Sequence, residues 1–182
     1  NESGVGSHRH RGHQRHGVRQ IEPRFALAEH LAETLDIGPG TRVFQVDCGV
    51  GDLLVPFHDN GYIVGGCDAD DRSIEAAREQ MPDGAFHVGA SASLDPAVPW
   101  HVVIWRHSAG TGEATDLDHL RGLLARMFAK ATHAVALLDV PGDERRWLFH
   151  ALTDIGASAI QFESASAGLT TSRDAMIVFA RV

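Results

Sequence analysis

The stretch VFQVDCGVGDLL, residues 43–54, joins a β-type run to a helical one through two closely spaced glycines. Residues 42–47 predict a short strand, and residues 52–60 predict the helix that follows it. The absence of a side chain at Gly49 and Gly51 allows a ligand to approach the backbone closely. The free N–H groups of the following helix would then face that ligand. A tight strand-to-helix turn without a ligand is the alternative that this stretch leaves open.

Outward from this stretch, strand and helix patterns alternate along the chain. Helices are predicted over residues 23–35, which Gly38-Pro39-Gly40 would end, and over 52–60, 70–80, 117–130 and 143–154. The predicted strands cover residues 42–47, 62–67, 85–88, 101–105, 133–140, 159–163 and 175–181. Strands joined by helices require crossover connections, whereas the last two strands have only a turn region between them. The sequence therefore predicts an α/β fold: a seven-stranded, mostly parallel sheet with helices on both faces and an antiparallel last strand.

Composition and charge narrow the possible functions. Of the formal net charge of −8, residues 1–20 contribute +3, so the remainder carries −11. An acidic body repels phosphate backbones, which argues against general nucleic-acid binding. No apolar run approaches the ~20 residues needed to span a bilayer. The two cysteines, Cys48 and Cys67, form neither a disulfide framework nor a zinc quartet, so we expect reduced thiols in a cytoplasmic protein.

Residues 1–20 differ from the rest in composition and predict a flexible His/Arg-rich arm before a single domain over residues 21–182. Loose transition-metal binding is conceivable for this arm because it contains four spaced histidines, His8, His10, His13 and His16. No cysteine or acidic set completes a defined site, so we expect no metal. The arm is also a candidate lid over a ligand cleft, and a small lid implies either an open site or one completed by a second subunit of a homodimer.

A second junction strengthens the case for a ligand. Gly66-Cys67-Asp68-Ala69-Asp70 places a carboxylate at the end of the second strand, some twenty residues beyond the first glycines. A strand-end acid in this position can accept hydrogen bonds from both ribose hydroxyls of a nucleoside. Asp70 and Asp71 are better explained as caps of the following helix.

Residues 45–54 and 66–78 together resemble motifs I and II of the class I S-adenosylmethionine (SAM)-dependent methyltransferases. The resemblance covers residues 23–182, including the antiparallel last strand. It implies SAM as the cofactor, and methyl transfer to oxygen or nitrogen of a small-molecule acceptor as the activity. By the same resemblance Gly49 and Gly51 would border the methionine part of the cofactor, Asp68 would hold the ribose, and Ala69 would lie against the adenine.

The chain departs from the family pattern at several positions. Gln45 stands where the family usually has an acid, and Asp47 stands where it has a first glycine. Asp47 could meet the cofactor's amino group, or it could obstruct the pocket. Ala90 replaces an acid near the adenine amine, so that Ser91 or backbone groups would serve instead. His101 replaces a further acid at the strand end remote from the cleft, where a structural role is expected.

The loop after the fourth strand is the place to expect catalytic groups. Trp105 could cover the cofactor, Arg106 could bind a substrate carboxylate or phosphate, and His107 could act as a general base. A solvated loop residue is the competing interpretation of His107. Asp139, at the end of the fifth strand, is expected to shape the acceptor pocket because it has no second carboxylate with which to bind magnesium.

Two other functions remain open on the sequence. The departures at Gln45, Asp47 and Ala90 favour a methyltransferase-like binding or regulatory module without catalysis. A nicotinamide-linked oxidoreductase would also use glycines and a strand-end acid. The terminal hairpin and the incomplete Gly-x-Gly-x-x-Gly spacing count against it.

Overall fold

The computed structural model describes residues 22–91, 94, 98–107, 117–164, 169 and 174–182. One seven-stranded sheet runs through these residues. Its strands are β1 (Arg42–Val46), β2 (Ile63–Asp68), β3 (Ala85–Val88), β4 (Trp100–Arg106), β5 (Ala131–Pro141), β6 (Ala159–Ser164) and β7 (Ala175–Arg181). The helices are α1 (Pro23–Leu35), α2 (Leu54–Asp59), α3 (Asp71–Gln80), α4 (Leu117–Lys130) and α5 (Arg145–Ile155).

The strand order is β3-β2-β1-β4-β5-β7-β6, and it places a ligand crevice by topology. From β1 the chain proceeds outward to β2 and β3, and it then returns to pair β4 with the other side of β1. The strand order therefore reverses between β1 and β4. Open α/β sheets bind ligands beyond the carboxyl ends of the strands at such a reversal. The strand pairs are parallel except at β7, which is antiparallel to both β5 and β6, as predicted.

Two apolar cores lie on opposite faces of the sheet. Helices α1, α2 and α3 bury Leu31, Phe57 and Ile74 in one of them. Helices α4 and α5 bury Leu124 and Leu152 in the other. Because the middle strands are covered on both faces, β5 is apolar and buried at nearly every position, as strands in parallel sheets are. This rigid centre fixes the loops at the carboxyl ends of β1, β2 and β4.

The predicted element bounds are confirmed within a few residues, with three differences of physical interest. Helix α1 ends at Leu35, where Asp36 adopts a left-handed conformation, so the glycines at 38 and 40 belong to the turn that follows. Helix α2 begins at Leu54 because residues 49–52 turn tightly first. A short 3-10 turn over Gly142–Glu144 precedes α5, so the predicted helix over 143–154 is two elements.

The remaining sequence predictions concern the His/Arg-rich arm, membrane-spanning helices and the two cysteines. The His/Arg-rich arm, with His8, His10, His13 and His16, lies outside the described residues. Within the described part of the chain, no helix is long and apolar enough to cross a membrane. Cys48 and Cys67 are both buried free thiols. Burial raises the pKa of Cys48 to about 12 and that of Cys67 to about 11, so both thiols are protonated at neutral pH.

Candidate functional site

The loop between β1 and α2 bends through left-handed backbone conformations. Asp47, Gly49 and Gly51 have φ values of +51°, +54° and +82°. The Gly51 N–H donates to the Cys48 carbonyl at 3.0 Å, which closes the turn. A Cβ at Gly51 would lie 2.6 Å from Met81 Cε, whereas a Cβ at Gly49 would meet nothing within 4 Å. Gly51 is favoured by its left-handed backbone and by its close contact with Met81, and Gly49 borders open space in which a ligand can approach the backbone.

Asp68, at the end of β2, joins this loop to the neighbouring strand. Its Oδ2 accepts a hydrogen bond from the Gly49 N–H at 2.8 Å, and its Oδ1 accepts one from the Asp70 N–H at 2.9 Å. The Asp70 side chain in turn caps α3 by accepting from the Ser73 N–H, as predicted. A carboxylate has about four lone-pair positions, so each Asp68 oxygen can accept a further bond. The carboxylate is therefore fixed in place and retains the capacity to bind two hydroxyls.

Asp47 and Trp105 meet across the point where the strand order reverses. The Trp105 Nε1–H donates to Asp47 Oδ2 at 3.1 Å, and no other donor to this carboxylate occurs in the described part of the structure. Partial burial raises the pKa of the Asp47 carboxyl. The Trp105 hydrogen bond opposes this increase, and the neighbouring Asp68 charge adds to it. The pair places an indole ring beside the loop and leaves the second Asp47 oxygen, Oδ1, able to accept a further bond.

Gln45 lies on β1 below this loop, between Gly66 of β2 and Ile104 of β4. The residue is 5% exposed, and its Oε1 has no hydrogen-bond partner among the described residues. A buried amide oxygen without a donor is unfavourable by about 1–3 kcal/mol. Gln45 thus provides an unused acceptor under the glycine loop.

The segment that follows β4 presents an indole and an imidazole side by side. The rings of Trp105 and His107 are 5.5 Å apart and nearly perpendicular. The His107 N–H donates to the Leu138 carbonyl at 2.8 Å, which ties the segment to β5. Its Nδ1 is buried without a hydrogen-bond partner in the described part of the chain. The imidazole is therefore held by its backbone and its neighbouring ring, and it is not a fully solvated loop side chain.

Arg106 forms an ion pair that the sequence did not indicate. Its Nε lies 3.0 Å from Oδ2 of Asp139, whose side chain is only 2% exposed. Asp139 has φ of +56° and follows Leu138, the register partner of Arg106 on β5. Because part of the guanidinium is taken by Asp139, an incoming anion would share Arg106 with this carboxylate. Strand register accounts for both side-chain pairs, since Trp105 lies opposite Val46, just before Asp47.

The residues predicted to border the adenine, Ala69, Ala90 and Ser91, follow β2 and β3 at the carboxyl ends of these strands. Ala69 is exposed directly after Asp68, and the Asp68 carbonyl accepts from the Gly89 N–H at 2.8 Å. This bond brings Ala90 and Ser91 beside the end of β2. At the amino ends of β1 and β4, away from the crevice, His101 Nδ1 accepts a hydrogen bond from the Arg42 N–H at 3.1 Å, which agrees with the expected structural role of His101. In the described portion, no three His, Cys, Asp or Glu side chains cluster in a way that could hold a metal ion.

No protein-family model matches this chain, and no curated protein matches it. Solved structures do match. The SAM-bound magnesium protoporphyrin IX methyltransferase of Synechocystis is 17% identical, with a TM-score of 0.67 over 87% of this chain and 79% of its own. The SAM-bound amino pentose methyltransferase of Micromonospora echinaspora is 15% identical, with a TM-score of 0.69 over 87% and 92%. A glycopeptide N-methyltransferase complexed with sinefungin is 14% identical, with a TM-score of 0.69 over 90% and 95%.

This chain has the class I methyltransferase fold. The fold prediction, including the antiparallel β7, is therefore confirmed. At these identities the similarity is one of fold, and the methyltransferase fold accommodates acceptors as different as a porphyrin, a sugar and a glycopeptide in the three neighbours. The function of this chain must therefore be argued from its own site.

Proposed function

We propose that this protein binds SAM at the carboxyl ends of β1, β2 and β4 and catalyses methyl transfer to oxygen or nitrogen of a small molecule. The observation that carries the proposal is the Asp68 carboxylate. It is held by the Gly49 and Asp70 amides at the reversal of strand order, with acceptor capacity left for two hydroxyls. Three of the solved structures with this fold contain SAM or sinefungin, which supports the choice of ligand.

The residues of the cleft fit the parts of this cofactor. Asp68 would accept hydrogen bonds from both ribose hydroxyls. Ala69, Ala90 and Ser91 would border the adenine. Gly49 would face the methionine part, because nothing lies within 4 Å of its missing side chain. The cofactor, when bound, supplies a methyl group activated on a sulfonium.

Two acceptors on β1 and its loop suit the amino group of the methionine part. One is the second oxygen of Asp47, whose first oxygen holds Trp105. The other is Gln45 Oε1, which is buried and has no donor in the described region, so its side chain would have to turn toward the cleft to meet this group. An ammonium group carries three donors, so it can satisfy both oxygens and a solvent molecule. Trp105 would cover the cofactor from the β4 side.

His107 is the residue best suited to accept a proton from the methyl acceptor. Imidazole is the side chain that most often serves as a general base, and the His107 ring is held beside Trp105 after β4. Arg106 precedes His107 in the sequence, and the Arg106–Asp139 ion pair would form the acceptor side of the cleft. Arg106 would orient an acidic group of the acceptor with the donors that Asp139 leaves free.

A second function, binding of the cofactor without catalysis, is favoured by the Asp47–Trp105 hydrogen bond. This contact bridges the crevice at its centre and could hold it closed against an acceptor. A binding or regulatory module would then use the cofactor as a signal. The two functions differ in whether SAM is consumed.

The deciding experiment supplies SAM labelled in its methyl group together with a small-molecule extract of the source cells. We expect saturable SAM binding, release of S-adenosylhomocysteine, and a labelled product of low mass detected by mass spectrometry. Binding without a labelled product would favour the non-catalytic module. Failure to bind either SAM or S-adenosylhomocysteine would overturn the proposal.

A further inference from the structure

A second cleft lies at the β6 edge of the sheet, between α5 and β6. Its volume is about 530 Å³, and its lining residues are Gly142, Asp143, Arg145, Arg146, Phe149, Ile160 and Phe162. Strand β6 is the last of the sheet and pairs only with β7, so the cleft opens at an edge. Its β6 wall is four strands from β1, roughly 19 Å at ~4.8 Å per strand, whereas its wall at Gly142 and Asp143 directly follows β5. None of its lining residues is among those proposed to hold SAM.

Two arginines of this cleft have no carboxylate partner in the described part of the protein. Neither Arg145 nor Arg146 belongs to an ion pair there, although the chain carries a net charge of −8. The Arg145 guanidinium stacks over the Phe162 ring, with 4.9 Å between Cζ and the ring centroid. Stacking occupies one face of the guanidinium and leaves its N–H edge directed to the surroundings. Such an edge matches the two oxygens of a carboxylate.

Helix α5 and strand β6 also contribute apolar side chains to the cleft. Arg145 and Phe149 are four residues apart, so they share one face of α5. Ile160 and Phe162 are two residues apart and share one face of β6. The Phe149 residue is 48% exposed, which is unusual for so large an apolar group. A cleft that combines an exposed aromatic wall with guanidinium groups that pair with no described carboxylate offers separate places for a ring and for an anion.

We infer that this cleft binds a small aromatic carboxylate. The ring would lie against Phe149 and Ile160, and the carboxylate would receive hydrogen bonds from Arg145 and Arg146. Asp143 at the same cleft opposes ligands of higher negative charge, so a monoanion suits it better than a phosphate dianion. The volume falls in the range of ~300–1,000 Å³ that small-molecule sites occupy. An acidic peptide added along the open edge of β6 is the competing occupant.

The test is calorimetric titration of the full chain with naphthalene-2-carboxylate, with naphthalene-2-methanol as its uncharged counterpart. We expect saturable one-to-one binding of the carboxylate and at least tenfold weaker binding of the alcohol. The double variant Arg145→Gln/Arg146→Gln should lower the affinity for the carboxylate at least tenfold. The matched control is Arg121→Gln, which removes an exposed arginine on α4 that pairs with Asp154. It should leave the affinity within twofold.

Because Arg145 and Arg146 are exposed, their replacement should leave the far-UV circular dichroism and the melting temperature close to those of the parent protein. Phe149→Ser provides a second variant, which should weaken binding of the carboxylate and of the alcohol together. Absence of saturable binding, equal affinities for the two naphthalenes, or full affinity in the double variant would each overturn the inference. It would also fail if an acetylated Glu-Phe-Glu-Phe-Glu peptide bound more tightly than the carboxylate, because a protein partner would then be indicated.

Discussion

Replacing Asp68 with alanine should weaken SAM binding by more than tenfold. The Asp68 oxygens accept from the Gly49 and Asp70 amides and keep room for two ribose hydroxyls. A hydrogen bond to a charged group is worth about 1.5–3 kcal/mol, and about 1.4 kcal/mol corresponds to a factor of ten in affinity. Loss of one such bond therefore already gives tenfold, and loss of both gives a hundredfold or more. The Gly49 amide would also lose its acceptor, which loosens the loop.

Isothermal titration calorimetry with SAM and S-adenosylhomocysteine measures this effect directly. Asp70→Ala is the matched control, because it removes an equal charge two residues after Asp68. It also removes the cap of α3, which lowers the free energy of unfolding by about 1 kcal/mol. The control should keep its SAM affinity within about twofold, because the Asp70 backbone N–H still supports Asp68. If Asp68→Ala bound SAM as tightly as the parent protein, the ribose assignment would be refuted.

Four further substitutions test other parts of the site. His107→Ala should slow turnover by about a hundredfold or more without changing SAM affinity, and full activity in this variant would exclude His107 as the base. In Asp47→Asn the carboxyl with the raised pKa is gone. In the parent protein, the raised pKa of Asp47 adds folding stability at pH values below the ordinary carboxyl pKa. This contribution is lost as the pH rises through the pKa of Asp47 in the folded state. In urea unfolding, the stability of the variant relative to the parent should therefore increase as the pH rises above about 4, and a difference that does not change with pH would contradict this. The same variant should bind SAM more weakly if Asp47 meets the amino group, and more tightly if Asp47 obstructs the pocket. Gly51→Ala should destabilise the fold by about 1–3 kcal/mol, because its φ is +82° and its Cβ would lie 2.6 Å from Met81, and Gly49→Ala should cost less.

The topology could be predicted from the sequence because the alternation of apolar runs and helical patterns leaves few arrangements. The chain between successive parallel strands must cross the sheet, and the short turn region before residue 175 leaves β7 only an antiparallel place. The predicted bounds of β3, α4 and β7 are those of the structure. Asp68 could also be anticipated, since a residue at the carboxyl end of a strand next to β1 must face the crevice.

The side-chain pairs of the site could not be predicted in the same way. The contacts of Asp47 with Trp105 and of Arg106 with Asp139 depend on strand register and on two left-handed backbone positions. Periodicity does not report either quantity. The conformation at Asp139 coincides with an irregularity in the pairing of β5 with β7 between Leu137 and Val140, which only the assembled sheet produces. The sequence thus locates the crevice, and the packed sheet determines which of its groups remain available to a ligand.

The most direct test of the account is a crystal structure of the protein grown with SAM. We expect the adenosine to lie between the β1–α2 loop and the end of β2, with its two ribose hydroxyls within hydrogen-bond distance of Asp68. The adenine should lie beside Ala69, and the methionine part should face Gly49. A crevice filled by the Asp47 and Trp105 side chains, with no nucleoside at Asp68 despite saturating SAM, would contradict the account.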